Sequence, residues 1–354
     1  MEPSEPKAAA TMRLVQVDAV LERFFSLAKK NAVGFGDSYL RLWQTLEASA
    51  AGGKRFRPRL VMAAYRGLGG ADEHAAAYVG AAFELLHTAL IVHDDVIDRD
   101  FTRRGNPNVS GSYRDIATTA GIPIPIAEHR GMSVAVIAGD LALVNAYRLI
   151  DRSGVNDEVR ERLLELMDAA ITASAAGELL DVDFSMSAEP PAVDEVLRME
   201  RLKTAVYTFE APLQAGAVLA GASDEIVAAL GDFGCAIGIA YQVRDDLLGV
   251  FGDEKLTGKT TVGDLREGKR TAITAYAATT DAWASIRSLV GKPSLTMEQA
   301  GYVRSVLEEC GARAFAEGIA VDYAASAMDQ LGAMSPELQA ELRSIVREAA
   351  ERQR

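Results

Sequence analysis

The stretch from Glu84 to Gly105, ELLHTALIVHDDVIDRDFTRRG, restricts the fold more than any other part of the chain. Its apolar run Ala89-Leu90-Ile91-Val92 needs a core, whereas the acids that follow, Asp94, Asp95, Asp98 and Asp100, need water or a cation. A helix meets both demands: Asp94 and Asp98 project from one face a turn apart, with His87 two turns back on that face. Two bare carboxylates at that spacing repel, so a helix that keeps them calls for positive charge. A hard cation such as Mg²⁺ takes one or two carboxylates and completes its shell with water and phosphate oxygen. Arg103 and Arg104 follow at once, and a guanidinium fork matches phosphate oxygens bidentately. The stretch reads as a metal-bridged phosphate site at the edge of a helical core. A solvated acidic helix end is the plainer alternative.

Elsewhere apolar residues recur at helical spacing, as in Leu14, Val17, Leu21, Phe24 and Phe25, and no alternating strand pattern is evident, so the fold class is all-α. A length of 354 residues alone suggests two domains, but we read 12–354 as one helical domain and 1–11, acidic and proline-bearing, as a mobile tail. The net charge of −13 argues against nucleic acid as a partner. Two cysteines, Cys235 and Cys310, are too few for a disulfide framework and suit free thiols in a cytosolic chain. No uninterrupted apolar run reaches the ~18 residues of a membrane span; the nearest, Ser133 to Val144, is broken by Asp140. The N-terminus lacks the charged-then-apolar order of a signal peptide. A cytoplasmic protein with no membrane span is expected.

Helices are expected from Met12 to Asn31 and from Ser38 to Ala51, then from Pro58 to Arg66. Before the third comes Gly52-Gly53-Lys54-Arg55-Phe56-Arg57-Pro58-Arg59, where glycines allow close backbone approach and four cations follow. Cations at a helix start oppose the macrodipole, which favours an anion site over a plain surface helix end. Residues from Pro107 to Pro125 read as a long connection, followed by helices at Ser133–Asp151, Asp157–Asp183 and Val193–Ala220. The second of these carries Glu178, Asp181 and Asp183, and the third carries Lys203-Thr204, where the lysine either reaches solvent or faces a phosphate. Gly231, Gly234 and Gly238 leave one helix face bare, for close packing or for a ligand. Gln242, Asp245 and Asp246 then share a face at i, i+3 and i+4. The run Gly252 to Arg270, with Lys259 and Lys269, reads as a loop over a mouth or as an ordinary surface loop. From Ala272 onward the helices read as scaffold. The acidic motif thus occurs twice, and two such helices facing across a bundle would hold several Mg²⁺ ions. A di-iron bundle is disfavoured, because Glu84-x-x-His87 has no second copy.

Taken together, GGKRFRP at 52–58, HDDVIDRDFTRRG at 93–105, Lys203-Thr204 and YQVRDD at 241–246 resemble, in order, the motifs of the polyprenyl diphosphate synthase family, most closely a bacterial geranylgeranyl diphosphate synthase. The resemblance covers roughly Gly52 to Arg270 and implies an isoprenoid synthase fold: mostly antiparallel helices around a deep central cavity, paired as a homodimer. It implies that isopentenyl diphosphate is bound by Lys54, Arg57 and His87 with Arg104, and the allylic diphosphate (dimethylallyl, geranyl or farnesyl) by Arg103, Lys203 and Lys259 with Lys269 nearby. It further implies that Asp94, Asp98 and Asp245 ligate Mg²⁺, three ions in all, with Asp95 and Asp246 in support, and that Thr204 and Gln242 flank the developing cation.

The implied reaction is ionisation of the allylic diphosphate, attack by the isopentenyl double bond and loss of a proton. One departure stands out: Asp245-Asp246-Leu247-Leu248-Gly249 has glycine where many members carry a third Asp. Members with that glycine are active, so it reads as a subfamily mark; Asp253 lies a turn later at the wrong spacing. In the family an aromatic four or five residues before the first motif stops growth at C15. Ala89 and Leu90 leave that floor open, and Phe83 is either a deeper floor or ordinary core. The expected product is geranylgeranyl diphosphate (C20), with C15 or C25 and longer as alternatives. A class I terpene cyclase would not need the basic Gly52–Pro58 loop. A non-catalytic regulatory subunit would tend to lose an acidic motif, and this chain keeps both.

Overall fold

The computed structural model describes residues 5–103, 105–252 and 262–350. Arg104, Asp253 and Lys259 fall outside these. Inside what the sequence reads as one domain, two compact units are distinguished: Met1–Glu165 with Ala215–Gly221, and Leu166–Gln214 with Ala222–Arg354.

In the first unit, α1 (Glu5–Ala32) begins before the expected Met12 start, and a 3₁₀ turn (Val33–Phe35) leads to α2 (Asp37–Ala50). Next come α3 (Phe56–Gly67) and α4 (Glu73–Ile97), which ends in the first acidic motif. α4 starts where it does because the Asp72 side chain accepts the His74 N–H at 3.0 Å, satisfying an otherwise unpaired first-turn donor. Its Gly80 lets α3 cross closely, since a Cβ there would come within 3.2 Å of Pro58 Cα. A short antiparallel ladder pairs β1 (Thr102–Arg103) with β2 (Asn106–Pro107), the only strands among the described residues.

The connection expected between Pro107 and Pro125 is instead largely helical: α5 spans Val109–Thr119 and α6 spans Ile124–Asp151. Asn108 caps α5 by accepting the Gly111 N–H at 2.8 Å, and this helix position is glycine because the Phe101 carbonyl fills the place of a Cβ. Pro125 sits in the first turn of α6, where proline is tolerated. Both residues read as loop signals in the sequence because glycine and proline disfavour helix interiors, whereas a first-turn proline and a closely packed glycine do not.

The second unit takes over within α7 (Asp157–Met186) and continues through α8 (Val193–Glu200). The helix expected from Val193 to Ala220 is not continuous: Arg201–Glu210 winds as a π-helix before α9 (Ala211–Leu219). Glycines accommodate its wider turns on two sides. A Cβ at Gly177 of α7 would strike the Lys203 backbone, and Cβ atoms at Gly234 and Gly238 would strike Glu210 and Ala205. The bare face of α10 (Asp224–Phe251) therefore serves close packing. Its opposite side sends Ile239, Val243, Leu247 and Val250 into a core shared with Ile273, Trp283, Val303 and Leu307. The remaining helices are α11 (Gly263–Glu267), α12 (Ala272–Ala278), α13 (Trp283–Ile286), α14 (Met297–Glu309), α15 (Ala312–Gly332) and α16 (Pro336–Ala350). α11 lies within the stretch expected to be loop.

α4, α6 and α10 are each long and apolar enough to cross a bilayer by length and composition, with mean hydropathies of 1.6, 1.5 and 1.6 over an 18-residue window. No uninterrupted run reaches that length, yet isolated charges break a run without lowering its mean, so runs alone do not carry the expectation of no membrane span. In α4 and α10 most of the window, 72% and 56%, is buried within the protein, which accounts for its character; in α6 only 39% is.

Candidate active site

The first acidic motif occupies the last turn of α4. Asp94 and Asp95 lie inside the helix, and Asp98 caps it, its N–H bonded to the Asp94 carbonyl at 2.9 Å. A helix C-terminus carries partial negative charge, so carboxylates here are doubly unfavourable without a cation. Arg103, delivered by the β1–β2 turn, supplies one. Its Nε and Nη2 donate to Asp95 Oδ1 at 3.0 and 2.7 Å, and Nη2 donates to Asp94 Oδ2 at 3.2 Å. Asp95 is 3% exposed; burial raises its pKa, Arg103 pulls it down, and Asp94 and Asp100 add to the rise, leaving it above the ordinary value. On the other side of the motif, His93 Nε2 lies 3.3 Å from Asp140 Oδ1 of α6, in the space that a Cβ at Gly139 would fill. His93 and Asp140 were not singled out as a pair by the sequence; the Gly139-Asp140 step inside an apolar helix was the available signal.

The basic loop before α3 coils left-handed, with φ of 77° at Gly52, 81° at Gly53 and 50° at Arg55. Lys54 is exposed, and Arg57 is buried in the first turn of α3. Arg55 turns inward: Nη1 donates to the Ala50 carbonyl at 2.8 Å and to Glu84 Oε1 at 2.9 Å, and Nη2 lies 3.2 Å from Asp18 Oδ1. Glu84 precedes the half-buried His87 by one turn of α4.

In the second unit Gln242 Nε2 donates to Asp246 Oδ1 at 3.0 Å, as the shared helix face predicts. Asp246 is buried beside Glu200, the last residue of α8. Burial first raises both acids above the ordinary carboxylate range; the charge of Asp246 adds to the rise at Glu200, whereas at Asp246 Lys269 and the hydrogen bond with Glu200 oppose the rise and Asp264 and Asp245 add to it. A lone glutamate in α8 gave the sequence reading no reason to single it out. The glycine of the second motif also has a structural cause: Asp264 of α11 places Oδ2 where a Cβ at Gly249 would be. Asp264 Oδ1 in turn lies 3.8 Å from Lys269 Nζ. Lys203, on the π-helix beside the half-buried Thr204, is held by Asp181 Oδ2 at 2.6 Å and Glu178 Oε2 at 3.0 Å, two acids one turn apart on α7.

Among the described residues no three His, Cys, Asp or Glu side chains converge into a ready cage. The donors at both motifs are carboxylate oxygens, which suit a hard ion and not a thiolate- or imidazole-loving one. An ion held by one or two carboxylates and otherwise by water or phosphate is the habit of Mg²⁺, so the residues present fit it.

Below the first motif, Phe83 and Ala89 are fully buried and Leu90 partly so. A cavity of about 320 Å³ in the same unit lies elsewhere, lined by Phe24, Phe35, Tyr39 and Trp43 with Arg148 and Arg152, and it includes no residue of either acidic motif.

Residues 41–308 match the polyprenyl synthetase family model. A geranylfarnesyl diphosphate synthase of Aeropyrum pernix is 34% identical over 306 residues, covering 85% of this chain and 90% of the relative. A geranylgeranyl diphosphate synthase of Sulfolobus acidocaldarius is 32% identical over 290 residues, covering 80% and 82%. The crystal structure of geranylgeranyl pyrophosphate synthase from Corynebacterium glutamicum, in complex with isoprenyl diphosphate and magnesium, superposes with a TM-score of 0.88 at 31% identity, covering 97% of this chain and 98% of that one.

Proposed function

We propose that this chain, which belongs to the polyprenyl synthetase family and is a trans-prenyltransferase of the all-α isoprenoid synthase fold, makes geranylgeranyl diphosphate by head-to-tail condensation of isopentenyl diphosphate with allylic diphosphates. The observation that carries the reading is Arg103 bonded to Asp94 and Asp95 at the end of α4, a cation–carboxylate cluster suited to a phosphate-bearing metal.

Lys54, Arg57 and His87, with Arg104, hold the diphosphate of isopentenyl diphosphate and so aim its double bond. Arg103, Lys203 and Lys269, with Lys259, hold the allylic diphosphate and stabilise its departing oxygens. Thr204 and Gln242 flank the allylic cation. The proton is lost to the departing diphosphate, and the apolar face of α4 at Ala89 and Leu90 keeps water from the cation. Asp94 and Asp98 of the first motif and Asp245 of the second would hold Mg²⁺, three ions in all, with Asp95 and Asp246 in support, and the metal would supply the charge neutralisation that makes diphosphate a leaving group.

The small Ala89 and the relatives named geranylgeranyl diphosphate synthases support a C20 product. A C25 product is the second reading, favoured by the relative named geranylfarnesyl diphosphate synthase. Exposed Ile126, Val136, Ile137 and Val144 on α6 support a homodimer, and the acidic charge supports a cytoplasmic protein without nucleic-acid partners.

The test is to incubate purified protein with Mg²⁺, isopentenyl diphosphate and each of the C5, C10 and C15 primers, and to weigh the dephosphorylated alcohols. A dominant C20 alcohol is expected. A C25 alcohol keeps the reaction and replaces the chain length. No product with any primer overturns the reading in favour of a regulatory subunit.

A further inference from the structure

We infer that Arg55 is a positioning residue: paired with Glu84, it locks the loop bearing Lys54 and Arg57 onto α4 and thereby sets the affinity for isopentenyl diphosphate without touching it. The inference rests on the function proposed above.

Sequence alone groups Arg55 with the phosphate-binding cations of its loop. The structure separates it. Its side chain is 12% exposed, and its donors are committed to the Ala50 carbonyl and Glu84 Oε1, with Asp18 Oδ1 at 3.2 Å. A guanidinium surrounded by a carbonyl and two carboxylates is a poor anion receptor. The backbone at Arg55 is left-handed (φ 50°, ψ 43°), a conformation that a residue with a Cβ keeps only where its surroundings impose it. Glu84 is the imposing partner: its side chain is 8% exposed, and its other oxygen, Oε2, is buried with no hydrogen-bond partner among the described residues. Arg55 is therefore what satisfies this buried carboxylate. Because Glu84 lies one turn before His87, the pair joins the loop to the helix face that carries the third assigned anchor of the same diphosphate.

The test uses full-length Arg55→Lys and Glu84→Gln, measuring KM for isopentenyl diphosphate, KM for the allylic primer, kcat and melting temperature. The expected result is a rise of roughly tenfold in the isopentenyl diphosphate KM, with the allylic KM and kcat within about twofold of wild type. A lowered melting temperature with both KM values unchanged, or an equal rise in both, overturns the inference. Since removing one member strands a buried charge, Arg55→Met/Glu84→Met removes both and keeps the test open. This double variant is expected to fold and to retain the selective defect; a normal isopentenyl diphosphate KM in it overturns the inference. If wild type yields no product with any primer, the functional reading fails by itself. Calorimetric titration of isopentenyl diphosphate into unreacted protein then decides the role of Arg55: weaker binding in the variants upholds it, and equal binding, or none in wild type, overturns it.

Discussion

Oδ2 of Asp264 stands where the Cβ of any residue larger than glycine at position 249 would be. Placing at position 249 the third aspartate that the family resemblance leads one to expect should therefore harm this chain. Gly249→Asp has to push the Asp264 carboxylate aside and sets two carboxylates against each other, and it is expected to cost about 1 kcal/mol of stability. Gly249→Ala should show the steric part without the charge, and Gly249→Asp/Asp264→Gly should recover part of the loss. Denaturant titration and turnover of the three variants check this; full activity in Gly249→Asp would contradict it.

Arg103 balances carboxylates at a helix end where the backbone dipole already disfavours them. In Arg103→Gln the buried Asp95 loses its charged partner, an effect of about 1–3 kcal/mol, reduced by the partial exposure of the pair. Mg²⁺ alone should raise the melting temperature of this variant more than that of wild type, because the ion replaces the missing charge. An equal rise in both proteins would show that Arg103 is not the balancing charge.

Asp246 is pushed up to about 7, by burial first, with Lys269 opposing and Asp264 and Asp245 adding, while its ordinary value is 3.8. Its proton is held more tightly in the folded than in the unfolded chain, so its contribution to stability is complete below about pH 4 and is lost as pH rises through about 7. Glu200, also raised, acts in the same direction. The melting temperature of metal-free protein is expected to fall between about pH 5 and pH 8, and Glu200→Gln should flatten that slope. Melting curves across the range decide; an unchanged slope in the variant shows that Glu200 does not contribute to it.

Phe83 is fully buried eleven residues before Asp94, about 16 Å down the helix axis. If it floors the growing chain, Phe83→Leu should lengthen the product while sparing the core most of the ~3–5 kcal/mol cost of Phe83→Ala. Ala89→Phe should shorten it towards C15. Product masses check both, and an unchanged distribution in Phe83→Leu assigns Phe83 to core packing.

The all-helical fold was readable because apolar spacing is a property of the chain itself, and the acidic motifs because carboxylates one turn apart on an apolar helix conflict locally. α5 was missed for the opposite reason: Gly111 breaks helices in isolation, and only the distant Phe101 carbonyl explains it. The same holds for Glu200 and Asp264, whose significance arises from neighbours far along the chain. Lys203 was read as facing solvent or phosphate, and its two acidic partners sit a helix away on α7, beyond any local pattern. Gly231, Gly234 and Gly238 leave packing and ligand space both open in the sequence; in the structure the π-helix fills the face at Gly234 and Gly238, and Gln214 of α9 fills it at Gly231.

That π-helix also fixes the chain's phase. Each α-helical residue advances the rotation by 100°, and wide turns reset the count between α8 and α9. Losing one residue anywhere from Arg201 to Glu210 would let a wide turn tighten to an ordinary α-turn, which absorbs the change that in a regular helix rotates everything beyond it by 100°. The segment thus behaves as a phase buffer: it can give up a residue while the faces of α8 and α9 stay where they are.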